Sequence, residues 1–161
     1  MHRLKIFRAA IPLLLVLSLV ACSDDDDVTG SGGSLARVEI DAPSSATTGN
    51  AFEVQVKALN VGVSNIRNGR IDATFGVPLA ILSVDTSPGT SASFSNGPTG
   101  GRITWDLGTL DSNSESRLTV QTVGVLAPTQ GSQTAMIDAS MTAQGISAGD
   151  AVATDTVTIN P

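Results

Sequence analysis

From Leu35 to the C-terminus, apolar and polar residues alternate with a period of two, the spacing of a strand with one face buried. Val38 and Ile40 alternate with Arg37, Glu39 and Asp41; then Pro43 and Gly49 bracket a turn. Phe52, Val54, Val56 and Ala58 lie on one side of the next strand, opposite Glu53, Gln55 and Lys57, and Asn60-Val61-Gly62 closes it. A strand near Gly69 to Phe75 carries Ile71 and Ala73 inward, and Pro78 to Val84 is more continuously apolar. That run predicts either a strand buried on both faces or an irregular crossover. Ser87-Pro88-Gly89 and Asn96-Gly97-Pro98 are turns around a short strand, Ser91 to Ser95. Arg102 to Leu107 alternates again, with Ile103, Trp105 and Leu107 on one face, so Trp105 is expected in the core. Leu118 to Gly124, ended by Pro128 and Gly131, and the set Ala135, Ile137, Ala139 and Met141 give two more strands. In the last strand Val152, Thr154, Thr156 and Thr158 alternate with Ala153, Val157 and Ile159; Val157 and Ile159 favour their own side as the buried one. No segment carries a helical stripe. Short strands separated by Gly, Pro, Asn and Ser turns predict an all-β, antiparallel sandwich of about 7–9 strands over residues 35–161.

The first 34 residues have a different pattern. Arg3, Lys5 and Arg8 precede an apolar run from Ile11 to Val20, with small Ala21 before Cys22. These are the three parts of a secretory leader, and the run is shorter than the roughly 20 residues a membrane span requires. Leu19-Val20-Ala21-Cys22 resembles the bacterial lipobox. The resemblance implies that residues 1–21 are a lipoprotein signal peptide, removed after diacylglyceryl transfer to the Cys22 thiol, with acylation such as palmitate on the new amino group. Several acyl chains hold a protein stably on a bilayer, since each buried methylene contributes about 0.8 kcal/mol. Residues 22–34 then form a tether from the lipidated cysteine. Ser23, Asp24, Asp25, Asp26 and Asp27 resemble the acidic surface-export signal of Bacteroidetes lipoproteins, or simply keep the tether solvated by mutual repulsion; Val28 to Ser34 has linker composition. Where sorting reads the residue after cysteine, Ser23 favours the outer membrane. The expected address is the bacterial cell envelope, on the periplasmic or cell-surface side.

Composition narrows the chemistry. Three of the nine basic residues and none of the fifteen acids lie in the leader, so its removal takes the formal charge from −6 to −9. A surface this acidic is a poor partner for nucleic acid, whose phosphates demand cations. The single histidine, His2, leaves with the leader, the single cysteine is Cys22, and there is no tyrosine. No Ser-His-Asp or Cys-His nucleophile, no His or Cys metal site and no internal disulfide can be built from what remains. Only Lys57 is left for Schiff-base chemistry, and Gly97-Pro98-Thr99-Gly100-Gly101 reads as a turn, not a phosphate cradle. A carboxylate pair for glycoside hydrolysis is the one catalytic arrangement still open. The chain is therefore expected to be no enzyme and to carry no cofactor. Asp85, Asp106, Asp111 and Glu115 lie in or near loops where calcium could bind, but no Asp-x-Asp-x-Asp-Gly loop joins them, so no metal site is expected. For carbohydrate, Phe94 is the one candidate stacking platform, which makes sugar the weaker partner.

Asn60-Val61-Gly62, Ile103-Thr104-Trp105-Asp106-Leu107-Gly108-Thr109-Leu110, Ser116-Arg117-Leu118-Thr119-Val120 and Ala153-Thr154-Asp155-Thr156-Val157-Thr158-Ile159 resemble the repeat of bacterial surface proteins called domain of unknown function eleven. The resemblance covers roughly residues 36–160, a single repeat where tandem copies are usual, and implies an Ig-like sandwich. Ile71 to Gly89, with Ile81-Leu82-Ser83-Val84-Asp85, resembles cohesin domains, which implies binding of dockerin modules. Some related surface domains cross-link a lysine to an asparagine; Lys57 shares its face with Glu53 and Gln55, so no such bond to Asn160 is expected. Together these features describe a membrane-anchored, non-catalytic envelope lipoprotein serving adhesion, assembly or protein binding, with an unidentified protein partner. The alternative is a cohesin-like or carbohydrate- or calcium-dependent module of a surface complex.

Overall fold

The computed structural model describes residues 36–146 and 149–161. The expected signal peptide, Cys22, Ser23, Asp24 to Asp27 and the expected tether through residue 34 lie outside the described residues. Ten strands follow one another: β1 (Ala36–Asp41), β2 (Ser45–Thr47), β3 (Ala51–Asn60), β4 (Ile66–Gly76), β5 (Leu79–Thr86), β6 (Ser91–Gly97), β7 (Gly100–Leu110), β8 (Glu115–Gly124), β9 (Gln133–Thr142) and β10 (Val152–Asn160). They form a four-stranded sheet in the order β1-β3-β8-β5 and a six-stranded sheet in the order β2-β10-β9-β4-β7-β6. No helix among the described residues is long and apolar enough to cross a membrane.

The sandwich is thus the expected one, with two corrections. The described residues form ten strands rather than about 7–9, and the pairing is not wholly antiparallel, because β2 runs parallel to β10 through Thr158↔Ser45 and Asn160↔Thr47. Between Pro43 and Gly49 the chain forms this short strand instead of only turning. The crossover into it is held by Asp155, whose Oδ2 accepts the Ala42 N–H at 3.1 Å.

The inward positions of both sheets make one core. Trp105, Phe75, Ile71, Ile103, Leu118 and Ile137 are all fully buried, each contributing about 1.5–3 kcal/mol by leaving water. Val157 and Ile159 are fully buried while Thr154 and Thr156 are exposed, so the last strand buries the side its β-branched apolar residues favour. Ile159 packs where Gly124 has no side chain; a Cβ there would collide with it. The apolar run from Pro78 to Val84 is neither buried on both faces nor a crossover. It is β5, an edge strand whose register against β8 slips between Ile81 and Ser83. The slip leaves Leu82 as the extra residue of a bulge, 52% exposed, and shifts the alternation so that apolar residues occur at both parities.

Asparagines close the sandwich at two places. Asn60, 1% exposed, donates from Nδ2 to the carbonyls of Ser64 (2.8 Å), Leu110 (3.0 Å) and Asp111 (2.9 Å), and its Oδ1 accepts the Gly62 N–H at 3.0 Å. One side chain thereby ties the end of β3 to the end of β7 in the other sheet. Asn96 on β6 does the same at the open side, accepting from the Ile81 N–H and donating to the Ile81 carbonyl, both at 2.8 Å. Its amide pairs with β5 as a peptide group would, joining the edges of the two sheets.

Candidate functional site

The outer side of the six-stranded sheet is made of short polar side chains. Pairing places Thr154, Asp138, Thr74, Arg102 and Ser95 side by side in one row across β10, β9, β4, β7 and β6. The neighbouring row is Val152, Ser140, Asp72, Thr104 and Ser93. On the other flank Gly76, Gly100 and Gly97 follow one another, and the missing side chains sink the surface. Gly100 cannot be replaced, since its φ is +110° and a Cβ would collide with the Phe75 carbonyl.

The result is a shallow groove of about 360 Å³ lined by Thr74, Asn96, Thr99, Arg102, Met136 and Asp138 among others. A second, of about 340 Å³, runs over Asp72, Ser140, Val152 and Thr154 and shares Thr74, Arg102 and Asp138 with the first. Within this surface Asp138 accepts the Thr154 hydroxyl at 2.7 Å, and Asp72 accepts the Thr104 hydroxyl at 3.0 Å while pairing with Arg70 at 3.4 Å. Arg102, exposed between the grooves, has no hydrogen-bond or ion-pair partner for its guanidinium among the described residues. Met136 and Val152 add apolar area, 53% and 58% exposed. A fork of five N–H donors, a border of hydroxyls and two apolar side chains on a nearly flat sheet suit contact with another surface better than enclosure of a small molecule.

The acids considered for calcium are dispersed. Asp85 is on β5 and binds the Thr86 N–H, Glu115 is on β8 and pairs with Arg117 at 3.2 Å, Asp106 is on the other sheet, and Asp111 in the β7–β8 loop accepts from Asn65. No three His, Cys, Asp or Glu side chains among the described residues stand close enough to hold a metal ion. Phe94 is 40% exposed, yet it stands opposite Ile103 and so on the inner side of β6, not as a platform on the outer surface. Trp105 is fully buried and its indole N–H donates to the Thr90 hydroxyl at 3.1 Å. Lys57 lies on the outer side of β3 between Glu39 and Arg117, while Asn160, on the other sheet, accepts from the Ser132 hydroxyl.

Sequence reading missed Arg102, Thr74 and Asp138 as a group, and Asn96 as a clamp. Alternation marks the first three as outward, but which strands are neighbours is not written in it.

Neither a protein-family model nor a curated protein matches this sequence significantly, and the resemblance to the surface-protein repeat is left unconfirmed. Solved structures do resemble it. A cohesin module from a family 33 glycoside hydrolase of Clostridium perfringens superposes with a TM-score of 0.56 at 15% identity, over 78% of this chain and 97% of that module. The fold is an Ig-like β-sandwich. The sixth cohesin of Acetivibrio cellulolyticus scaffoldin B, solved in complex with a Cel5 dockerin, gives 0.52 at 13% identity over 79% and 99% of the two chains. A CARDB domain from Pyrococcus furiosus, solved in complex with di-metal ions, gives 0.51 at 17% identity over 77% and 86%. Of the two resemblances read from sequence, the cohesin one is therefore met in the fold.

Proposed function

We propose that this chain is a lipid-anchored protein of the bacterial cell envelope, placed at the outer membrane by acylation of Cys22, whose sandwich is a non-catalytic protein-binding module. The outer face of the six-stranded sheet is its docking surface. The observation that carries this is Arg102, without a side-chain partner among the described residues, between two shallow grooves whose own carboxylates, Asp72 and Asp138, are already engaged. An arginine left without a carboxylate in a chain this acidic is free to take one from a partner, and bidentate pairing would fix the docking register. The cohesin-like fold supports the reading, since one such module has been solved with its protein partner bound.

The test is in two parts. Palmitate labelling of the full chain should depend on Cys22 and disappear in Cys22→Ala; labelling that persists sinks the anchor. Cross-linking in intact envelopes should give an adduct that is lost in Thr74→Lys and Arg102→Glu and kept in Lys57→Glu on the opposite sheet. An adduct indifferent to the first two substitutions moves the docking surface elsewhere.

A further inference from the structure

The β3–β4 loop, residues 61–65, is built inside out. Val63 is 89% exposed and Val61 55%, while Gly62 between them is buried. The backbone of this loop faces inward: the Gly62 N–H donates to Asn60 Oδ1 at 3.0 Å, the Gly62 carbonyl accepts the Asn113 N–H at 3.3 Å, and the Ser64 carbonyl accepts from Asn60 Nδ2 at 2.8 Å. Asn65 fastens the far side through Asp111 Oδ1 at 2.9 Å and the Ser112 N–H at 3.1 Å. A surface loop ordinarily offers its polar groups to water. This one spends them on its own scaffold and holds two β-branched apolar side chains outward.

The position of the loop supplies the partner. Ala36, the first described residue, pairs with Asn60, so the chain from the N-terminus reaches the sandwich at the same end as this loop. Thirteen residues, 23–35, separate Cys22 from Ala36. Even fully extended, a stretch of that length reaches no more than about 45–50 Å, at roughly 3.3–3.6 Å per residue, so the anchor and this end of the sandwich stay covalently close. We infer that Val61 and Val63 make a second, non-covalent contact with the membrane, resting in the phospholipid interface beside the lipidated terminus. The inference rests on the anchor proposed above. Two valines are a weak membrane ligand alone, but tethering makes their contact intramolecular, at an effective concentration in the millimolar range. The carboxylates nearby are engaged, Asp111 with Asn65 and Glu115 with Arg117, so the attraction is apolar and calls for a zwitterionic surface.

The chain has one cysteine, taken up by lipid in the mature protein, so Val63→Cys and Val125→Cys each supply a single labelling site. Val125, 61% exposed, is hydrogen-bonded to the Pro78 carbonyl at the opposite end and serves as the reference. The acylated full chain, labelled with an environment-sensitive nitrobenzoxadiazole, is reconstituted on phosphatidylcholine vesicles, with Trp105 emission confirming the fold. The label at 63 should emit to the blue of the label at 125 and be quenched severalfold less by iodide, unchanged by salt, and Val61→Ser should weaken both effects. Equal quenching at the two sites in an acylated protein overturns the membrane contact and leaves the anchor standing. Absence of acylation, read by mass of the N-terminal fragment, overturns both.

Discussion

The two outer surfaces of this sandwich obey the same alternation rule and reach opposite chemistries. The four-stranded sheet carries long charged and amide side chains, several of which satisfy one another, although Lys57 and Asp41 have no side-chain partner among the described residues. Arg37 pairs with Glu39 at 3.1 Å, Arg117 with Glu115 at 3.2 Å, and Glu53 receives Gln55 and Gln121 at 2.8 and 3.3 Å. The six-stranded sheet carries mostly serines, threonines and glycines and leaves Arg102 and Asp106 without a side-chain partner among the described residues. A self-satisfied surface resists association, because any partner must first displace internal contacts and then desolvate the charges. A surface of short hydroxyls has little side-chain entropy to lose and admits close approach. The difference teaches that polarity alone does not separate a solvated face from a docking face. What separates them is side-chain length and how densely paired long charges cover the sheet.

If the two faces are independent surfaces on one core, a core substitution must destroy both together. Trp105→Ala removes the largest fully buried side chain and leaves the Thr90 hydroxyl without its donor. We expect a loss of about 3–5 kcal/mol in urea unfolding, which would leave a domain of ordinary stability close to unfolded. Retention of adduct formation and of the melting temperature together would mean that the faces do not share this core. The next largest effect should come from Asn60→Ala. It strips the carbonyls of Leu110 and Asp111 and the N–H of Gly62 of their partner, at a cost of about 1–3 kcal/mol. Because Asn60 joins one sheet to the other, amide exchange should quicken on both sides of the sandwich near that end. Quickening confined to β3 would show that the clamp acts within one sheet only.

The strands of this fold were legible to the extent that burial follows parity. Val54, Val56 and Ala58, or Ile103, Trp105 and Leu107, show their buried side directly, because each strand has one wet face and one dry. Legibility ends where the ladder slips. At Leu82 a bulge puts consecutive apolar residues on both sides, and the run imitates a doubly buried strand. β2 escaped notice because Ser45-Ala46-Thr47 is too short to show alternation, and its pairing with β10 depends on Asp155, more than a hundred residues away. Gly108 in the tryptophan-strand motif has a physical reason, since its φ of +64° lies beside the register shifts that pair Gly69 with Gly108. The candidate surface was least legible. Thr74, Arg102 and Asp138 stand on strands far apart in the chain, and only the order β9-β4-β7 brings them into a row.

The two smallest predicted effects sharpen the comparison most. Asn96→Ala should cost about 1 kcal/mol and act locally, exposing the Ile81 amide to exchange while the amides of β3 keep their protection. Global loss of protection would make this edge part of the common core. Arg117→Ala and Arg102→Ala should be nearly silent in stability, each within about 0.5 kcal/mol, since both side chains are exposed and an exposed ion pair such as Arg117–Glu115 contributes little. Their effects should part company on binding. Removing Arg117 frees Glu115 without touching the hydroxyl surface, so the envelope adduct should persist; removing Arg102 takes away the one cation of the grooves still open to a partner, so the adduct should fall. If Arg117→Ala abolishes the adduct and Arg102→Ala spares it, the self-satisfied sheet is the docking face, and an unpartnered arginine is a poor guide to where this sandwich binds.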